Sequence, residues 1–224
     1  ICLYSMKKYI GNRFDSSTLV DFYDEWPIWS APFGLKLLDK IDYKPGITAL
    51  DIGFGAGFPL IELAQRLGES STVVGIDPLP EAIQRVAQKS SFFGISNVRT
   101  IAGVAEAMPI EDHSVDLIVS NNGINNVSDM NKAISECSRV TKVGGQFVLT
   151  LNLDKSMFEF YAELEHVLSE LKMEKEIERM HQHIYEKRRP LDEILCMIRD
   201  NGFVIKELEH DQFCYKFTDG TAML

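Results

Sequence analysis

The chain is poor in the features that mark secreted, metal-bound or membrane-embedded proteins. Its four cysteines, Cys2, Cys137, Cys196 and Cys214, are scattered, and none forms a Cys-x-x-Cys pair. That usage suits reduced thiols in a cytoplasm better than a disulfide framework or a zinc site, so no metal is expected. No apolar run approaches the ~18 residues that cross a bilayer, and no secretory signal pattern opens the chain. Positive charge is scarce too: 23 Lys and Arg face 33 Asp and Glu, a net charge of −10. An extended nucleic-acid surface needs concentrated Lys and Arg, so this balance argues against one while leaving room for a local basic groove. With 224 residues and 45% hydrophobic composition, the chain has enough apolar material for one full domain with an elaboration. It begins at Ile1 and stops at Thr221-Ala222-Met223-Leu224 without a closing element, which reads as trimmed ends.

The rest is organised around residues 47–67. Ile47 to Ile52 is a short apolar run that predicts a buried strand, and Leu60, Ile61, Leu63, Ala64 and Leu67 follow at helical spacing. Between them lies Gly53-Phe54-Gly55-Ala56-Gly57. A strand that turns into a helix through glycines brings bare backbone close to a ligand, and the helix start offers unpaired N–H groups and a positive dipole end. Spacing narrows the ligand. In the dinucleotide fingerprint G-x-G-x-x-G the third glycine would stand at Phe58; here it comes one residue early, at Gly57. A P-loop needs Gly-Lys-Ser/Thr, and no Lys follows. Alone, the turn also fits a tight connection in any α/β protein.

Three further stretches bear on it. Thr72 to Asp77 reads as a second buried strand ending in an acid, placed either to accept ribose hydroxyls or to cap the helix that follows Pro78-Leu79-Pro80. Asn97 to Ile101 predicts a third strand. Gly103-Val104-Ala105-Glu106-Ala107-Met108-Pro109 leads, through a turn holding His113, to a fourth strand at Leu117 to Val119. That strand exits into Ser120-Asn121-Asn122-Gly123-Ile124-Asn125-Asn126, with more asparagine than a turn requires. Strand C-termini at the switch point of a doubly wound sheet are where ligands bind. A helix from Asn131 to Thr141 and a turn, Lys142-Val143-Gly144-Gly145, lead to a fifth strand.

The pattern Asp51-x-Gly53-x-Gly55-x-Gly57, the acid Asp77 and the stretch from Gly103 to Ser120 together resemble the class I S-adenosylmethionine-dependent methyltransferases, in their small-molecule branch acting on quinones, sterols or acyl intermediates. The resemblance covers roughly residues 35–217. It implies a Rossmann-like α/β three-layer sandwich whose mostly parallel sheet has seven strands in the order 3-2-1-4-5-7-6, strand 7 antiparallel. It implies S-adenosyl-L-methionine as cofactor and S-adenosyl-L-homocysteine as product. Asp51, Gly53, Phe54, Gly55 and Gly57 would hold the methionine end, Asp77 and Pro78 the ribose, and Val104, Ala105 and Glu106 the adenine side, with Asn121 and Ser30 as further contacts. One departure stands out: the family's adenine-binding Asp is Val104 here. Two other readings stay open, a non-catalytic cofactor-binding or interaction module and a nicotinamide-dependent enzyme.

Outside the core, residues 1–34 read as an arm, with a helix expected over Phe14 to Tyr23 and an aromatic cluster after it. Tyr23, Trp26 and Trp29 are candidates to cover the pocket, since aromatic faces attract a sulfonium cation. Residues 35–153 form the cofactor-binding core. Residues 154–189 read as a helical insertion, a substrate lid in this family, its mixed charge forming a solvated face. The His181-x-His183 pair points apart on a helix. Residues 190–224 would end the core: a helix, then a strand pair over Phe203 to Leu208 and Asp211 to Phe217, with His210 in the turn between. Asn122 and Asn125 are candidates to touch the substrate and, with His210, to take part in catalysis; no convincing dyad appears. The expected partner is a small molecule, in a cytoplasmic protein that a homodimer would also suit.

Overall fold

The computed structural model describes residues 30–216 and residue 218. Tyr23, Trp26, Trp29 and the helix expected over residues 14–23 lie outside them. The chain begins with α1 (Ala31–Asp39), whose second residue is Pro32, and continues into β1 (Thr48–Ile52). The elements α2 (Leu60–Leu67), β2 (Thr72–Asp77), α3 (Pro80–Phe93) and β3 (Val98–Ala102) follow in strict alternation. Then come β4 (Val115–Asn121), a 3₁₀ turn at Ile124–Asn126, α4 (Met130–Val140) and β5 (Thr141–Thr150). Three helices close the described chain: α5 (Phe158–Glu170), α6 (Glu174–Lys187) and α7 (Leu191–Asp200).

All strand pairs are parallel, in the order β3-β2-β1-β4-β5. β1 is wholly enclosed because Ala49, Leu50 and Ile52 are apolar on both faces, as a strand covered by helices on each side must be. One face packs on α1 and α2 through Leu37, Leu38, Leu60, Leu63 and Ala64. The other packs on α4 and α7 through Ala133, Ile134, Cys137, Ile194 and Ile198. The chain leaves β1 toward β2 on one side, while β4 flanks it on the other. The switch point therefore lies at the C-terminal ends of β1 and β4.

The Rossmann-like α/β sheet is as expected, but the described residues form five strands. The segment expected to supply strands 6 and 7 has no ladder partner among them. Its side chains hold it elsewhere. Glu207, Glu209 and Asp211, at every second position, all reach the α1 lysines: Lys36 Nζ lies 2.7 Å from Glu209 and also meets Asp211, while Lys40 meets Glu207 and lies 3.0 Å from Glu209. Phe213 stands edge-on to Phe33 at 5.0 Å, and Phe203 packs on Phe147 at 5.2 Å. An alternating acidic face that finds lysines on a helix need not add to the sheet edge. The glycine turn expected before β5 lies within it: Val115 pairs with Thr141 and Leu117 with Gln146, so residues 142–145 bulge from the ladder.

The loop between β3 and β4 is anchored by one side chain. Arg139, near the end of α4, donates to Glu136 at 2.7 Å, Asp112 at 2.6 Å, the Ile110 carbonyl at 2.8 Å and the Met108 carbonyl at 2.9 Å. Glu136 in turn accepts from the Met108 N–H at 2.8 Å. Arg139→Met removes every one of these donors while keeping the side-chain stem. It is expected to destabilise the protein by about 2 kcal/mol, read as a lower denaturant midpoint with an unchanged slope.

Candidate functional site

The crevice is built where two chain exits touch. β1 leaves through Gly53, whose N–H continues the ladder to the Ile76 carbonyl at 2.9 Å. β4 leaves through Gly123. A Cβ on Gly53 would stand 2.8 Å from Gly123 Cα, and one on Gly123 would stand 2.1 Å from the Ile52 carbonyl oxygen. Only hydrogen fits on either side of this contact. Ser120, fully buried, bridges the same exits: its hydroxyl donates to the Ile52 carbonyl at 3.1 Å and accepts from the Ile124 N–H at 3.1 Å. Gly55 is different. Its φ is +52°, and a Cβ there would meet nothing within 4 Å, so the turn offers bare backbone to open space. Lys89, from α3, braces this turn by donating to the Ala56 carbonyl at 2.7 Å.

Two acids stand at adjacent strand ends. Asp77 is 5% exposed; its carboxylate accepts from the Gly55 N–H at 2.9 Å and the Leu79 N–H at 2.9 Å. It thus sets the glycine turn and caps the approach to α3, while each oxygen keeps a second lone pair. Burial raises its pKa, against those two hydrogen bonds. Asp51 has no exposed surface, and neither of its oxygens has a hydrogen-bond partner among the described residues. Burial first, then the charge of Asp77, pushes its pKa up to about 8; the Leu60 N–H, which falls short of a full hydrogen bond, offsets only part of this. A carboxyl so placed calls for a cation.

The other predicted residues divide. Phe54 is 1% exposed, and its ring fills the space beside Gly75, so only its backbone faces the crevice. Pro78, Val104, Ala105 and Glu106 line the cleft on the far side of Asp77. Val104 is half exposed, and Glu106 accepts from the Ser128 and Asp129 N–H groups at 2.7 and 3.1 Å, holding the approach to α4. Asn121 donates to the Ser30 carbonyl at 3.1 Å and accepts from the Thr150 hydroxyl at 2.9 Å. It thereby fixes Ser30, just before α1, at the mouth of the crevice.

The asparagines after β4 have unequal parts. The side-chain amide of Asn125 donates to the carbonyls of Asn152 and Lys187 at 3.0 and 2.8 Å and accepts from the Asn152 N–H at 3.1 Å. Those bonds clamp three chain segments together and occupy the group expected to meet substrate. Asn122, at φ +59°, keeps a buried side-chain oxygen with no partner among the described residues. His210 is exposed on the segment that runs along α1. Sequence reasoning passed over Gly123, Ser120, Lys89 and Arg188. The first two sat inside an Asn/Gly-rich loop, and the last inside the charge run Lys187-Arg188-Arg189. Only a close approach or a missing partner distinguishes them, and neither is written in one strand's pattern.

Fold and crevice together define an α/β protein of the class that takes its ligand at such a switch point. A sequence model of the methyltransferase-domain family matches residues 43–212. The chain is 32% identical over 151 residues to a demethylmenaquinone methyltransferase of Bacillus cereus, covering 67% of this chain and 62% of that protein. It is 30% identical over 150 residues to an uncharacterized 37.1 kDa protein in transposon TN4556 of Streptomyces fradiae, covering 65% of this chain and 43% of that protein. A solved SAM-dependent methyltransferase from Aquifex aeolicus matches with a TM-score of 0.51 at 30% identity, covering 58% of this chain and 69% of that one. The match thus spans less than two thirds of either curated relative's length.

The chain belongs to the class I S-adenosylmethionine-dependent methyltransferases. S-adenosylmethionine is accordingly its implied cofactor, and the residues present fit that molecule: an unpartnered buried carboxyl for a cation, an open glycine for close approach, and a second acid one strand away. Among the described residues, no helix is long and apolar enough to cross a membrane.

Proposed function

We propose that this chain catalyses methyl transfer from S-adenosylmethionine to an O, N or C atom of a small acceptor by in-line displacement. The observation that carries the reading is Asp51, a wholly buried carboxyl beside the glycine turn with no hydrogen-bond partner among the described residues. Asp51 would face the cationic amino acid end of the cofactor, the turn at Gly53, Gly55 and Gly57 would admit its methionine and ribose portions, and Asp77 would take the ribose hydroxyls on its remaining lone pairs. Val104 to Glu106 would border the adenine. Bound there, the cofactor supplies a methyl group already activated on a sulfonium, so the protein's task is alignment and exclusion of water. The buried oxygen of Asn122 is the acceptor best placed to orient a ligand donor, while the Asn125 amide holds the Asn152 and Lys187 carbonyls. Residues 154–189 would roof the cleft. The demethylmenaquinone relatives support a small acceptor, and the scattered cysteines support a cytoplasmic setting.

Calorimetric titration tests this reading: S-adenosylmethionine and S-adenosylhomocysteine are expected to bind one per chain and NADH not at all. Binding of NADH with no response to either sulfur compound would overturn it. A second measurement concerns Val104. Restoring the family's carboxylate with Val104→Asp gives the adenine amine an acceptor and is expected to tighten cofactor binding by about tenfold, the effect of one charged hydrogen bond. Unchanged affinity would show that the adenine lies elsewhere.

A further inference from the structure

We propose that Arg188 recognises an anionic oxygen group on the methyl acceptor, an inference that rests on the methyltransferase reading above. Arg188 Nε and Nη1 are buried and have no hydrogen-bond partner among the described residues. A guanidinium stays charged at any physiological pH, and its planar fork of donors matches an oxyanion. Leaving such donors buried and unmet is costly, and the chain is rich in acids that could have met them. Other arginines show the contrast: Arg66 lies 2.9 Å from Glu62, Arg139 2.7 Å from Glu136, and Arg189 3.5 Å from Glu193.

The position of Arg188 points to the acceptor. It follows the last residue of α6, Lys187, whose carbonyl accepts from Asn125 at 2.8 Å and whose ammonium donates to the Asn126 carbonyl at 3.3 Å. Both bonds tie Arg188 to the loop leaving β4, where Asn122 holds its own unpartnered oxygen. The Tyr161 ring on α5 lies 5.2 Å from the guanidinium carbon and supports it by cation–π attraction. Arg188, Asn122, Leu151, Phe158 and Phe160 all border the broad open space that also takes in the glycine turn. Two unmet donors and one unmet acceptor facing a space with apolar side chains on its border suit a carbon frame carrying an oxyanion and a hydroxyl or amine. The charge run Lys187-Arg188-Arg189 reads as solvated surface in sequence, yet its middle member turns inward.

The test uses the full chain saturated with S-adenosylhomocysteine and ligand-observed NMR titration of paired probes. Benzoate and 4-hydroxybenzoate are compared with benzamide and 4-hydroxybenzamide, and phenylphosphonate separates a tetrahedral from a planar oxyanion. At least one anionic probe is expected to bind about tenfold more tightly than its neutral counterpart. That advantage should vanish in Arg188→Met and survive in part in Arg188→Lys, which keeps the charge without the fork. Melting temperature and S-adenosylhomocysteine affinity report whether each variant is folded. If Arg188→Met does not fold, the Lys variant and the unaltered protein carry the comparison. Equal binding of acid and amide, no binding of any probe, or an advantage that persists in Arg188→Met overturns the inference. Failure to bind S-adenosylhomocysteine itself removes the methyltransferase reading and this inference with it; binding without anion preference removes this inference alone.

Discussion

Asp51→Asn is expected to stabilise the cofactor-free protein while weakening cofactor binding. Burial and the charge of Asp77 raise the Asp51 pKa from 3.8 to about 8, so the folded state keeps a proton that the unfolded state gives up. The sign follows from linkage: below the unfolded pKa both states are protonated and nothing is lost, and stability then falls as pH rises toward the folded value. The group facing Asp51 is Asp77 on β2, itself shifted upward by burial, so the two carboxyls oppose each other's ionisation. A neutral amide and a neutral carboxyl carry similar desolvation penalties, which leaves a gain of about 4 kcal/mol near neutral pH for the variant. Urea titrations at pH 5 and pH 8 check this: the parent should lose stability between them, and the variant should lose much less. A cationic ligand beside Asp51 favours the ionised carboxylate, so its binding should release a proton and strengthen with pH in the same window. In the variant, affinity for S-adenosylmethionine should fall about tenfold or more, with proton release abolished. A variant that is both less stable and an equal binder would show that Asp51 is a structural carboxyl.

Gly123→Ala is expected to cost about 3 kcal/mol or more and to abolish cofactor binding. Its φ of −64° is ordinary, so backbone strain plays no part. The obstacle is contact: a methyl group would stand 2.1 Å from the Ile52 carbonyl oxygen and 2.9 Å from the Ser120 hydroxyl, neither of which ends a flexible side chain. Relief would require the exits of β1 and β4 to separate, which moves Gly53 and breaks the bridge through Ser120. Gly55→Ala serves as the contrast. There the backbone is left-handed but the surroundings are open, so the penalty is about 1–2 kcal/mol, with any loss of binding arising from the methyl in the crevice. Thermal or urea unfolding of the two variants separates the mechanisms. A Gly123→Ala protein as stable as the Gly55→Ala protein would show that the crevice wall yields easily.

The alternating strand and helix patterns, the early third glycine and the two strand-end acids were legible because each is a local property: period, spacing or a residue type at an element's end. Strand order came with the family resemblance, and the order of the first five strands is the one observed. The last two of the expected strands do not form among the described residues, for an instructive reason. Residues 203–216 have strand-like alternation, yet the partners of Glu207, Glu209 and Asp211 are Lys36 and Lys40, far away in sequence. Alternation tells that one face differs from the other; it does not tell whether that face meets a strand or a helix. Likewise, no motif records that the Asn125 amide meets the carbonyls of Asn152 and Lys187.

By itself the amino-acid sequence determined the sheet's core, the glycine turn at Gly53, Gly55 and Gly57, and the positions of Asp51 and Asp77, because backbone conformation and burial are set by near neighbours along the chain. The tertiary structure alone decided which polar groups are left without partners. Asp51, Asn122 and Arg188 acquire their meaning from what surrounds them in space, and a buried donor or acceptor becomes a demand on a ligand only once every other segment has taken its place.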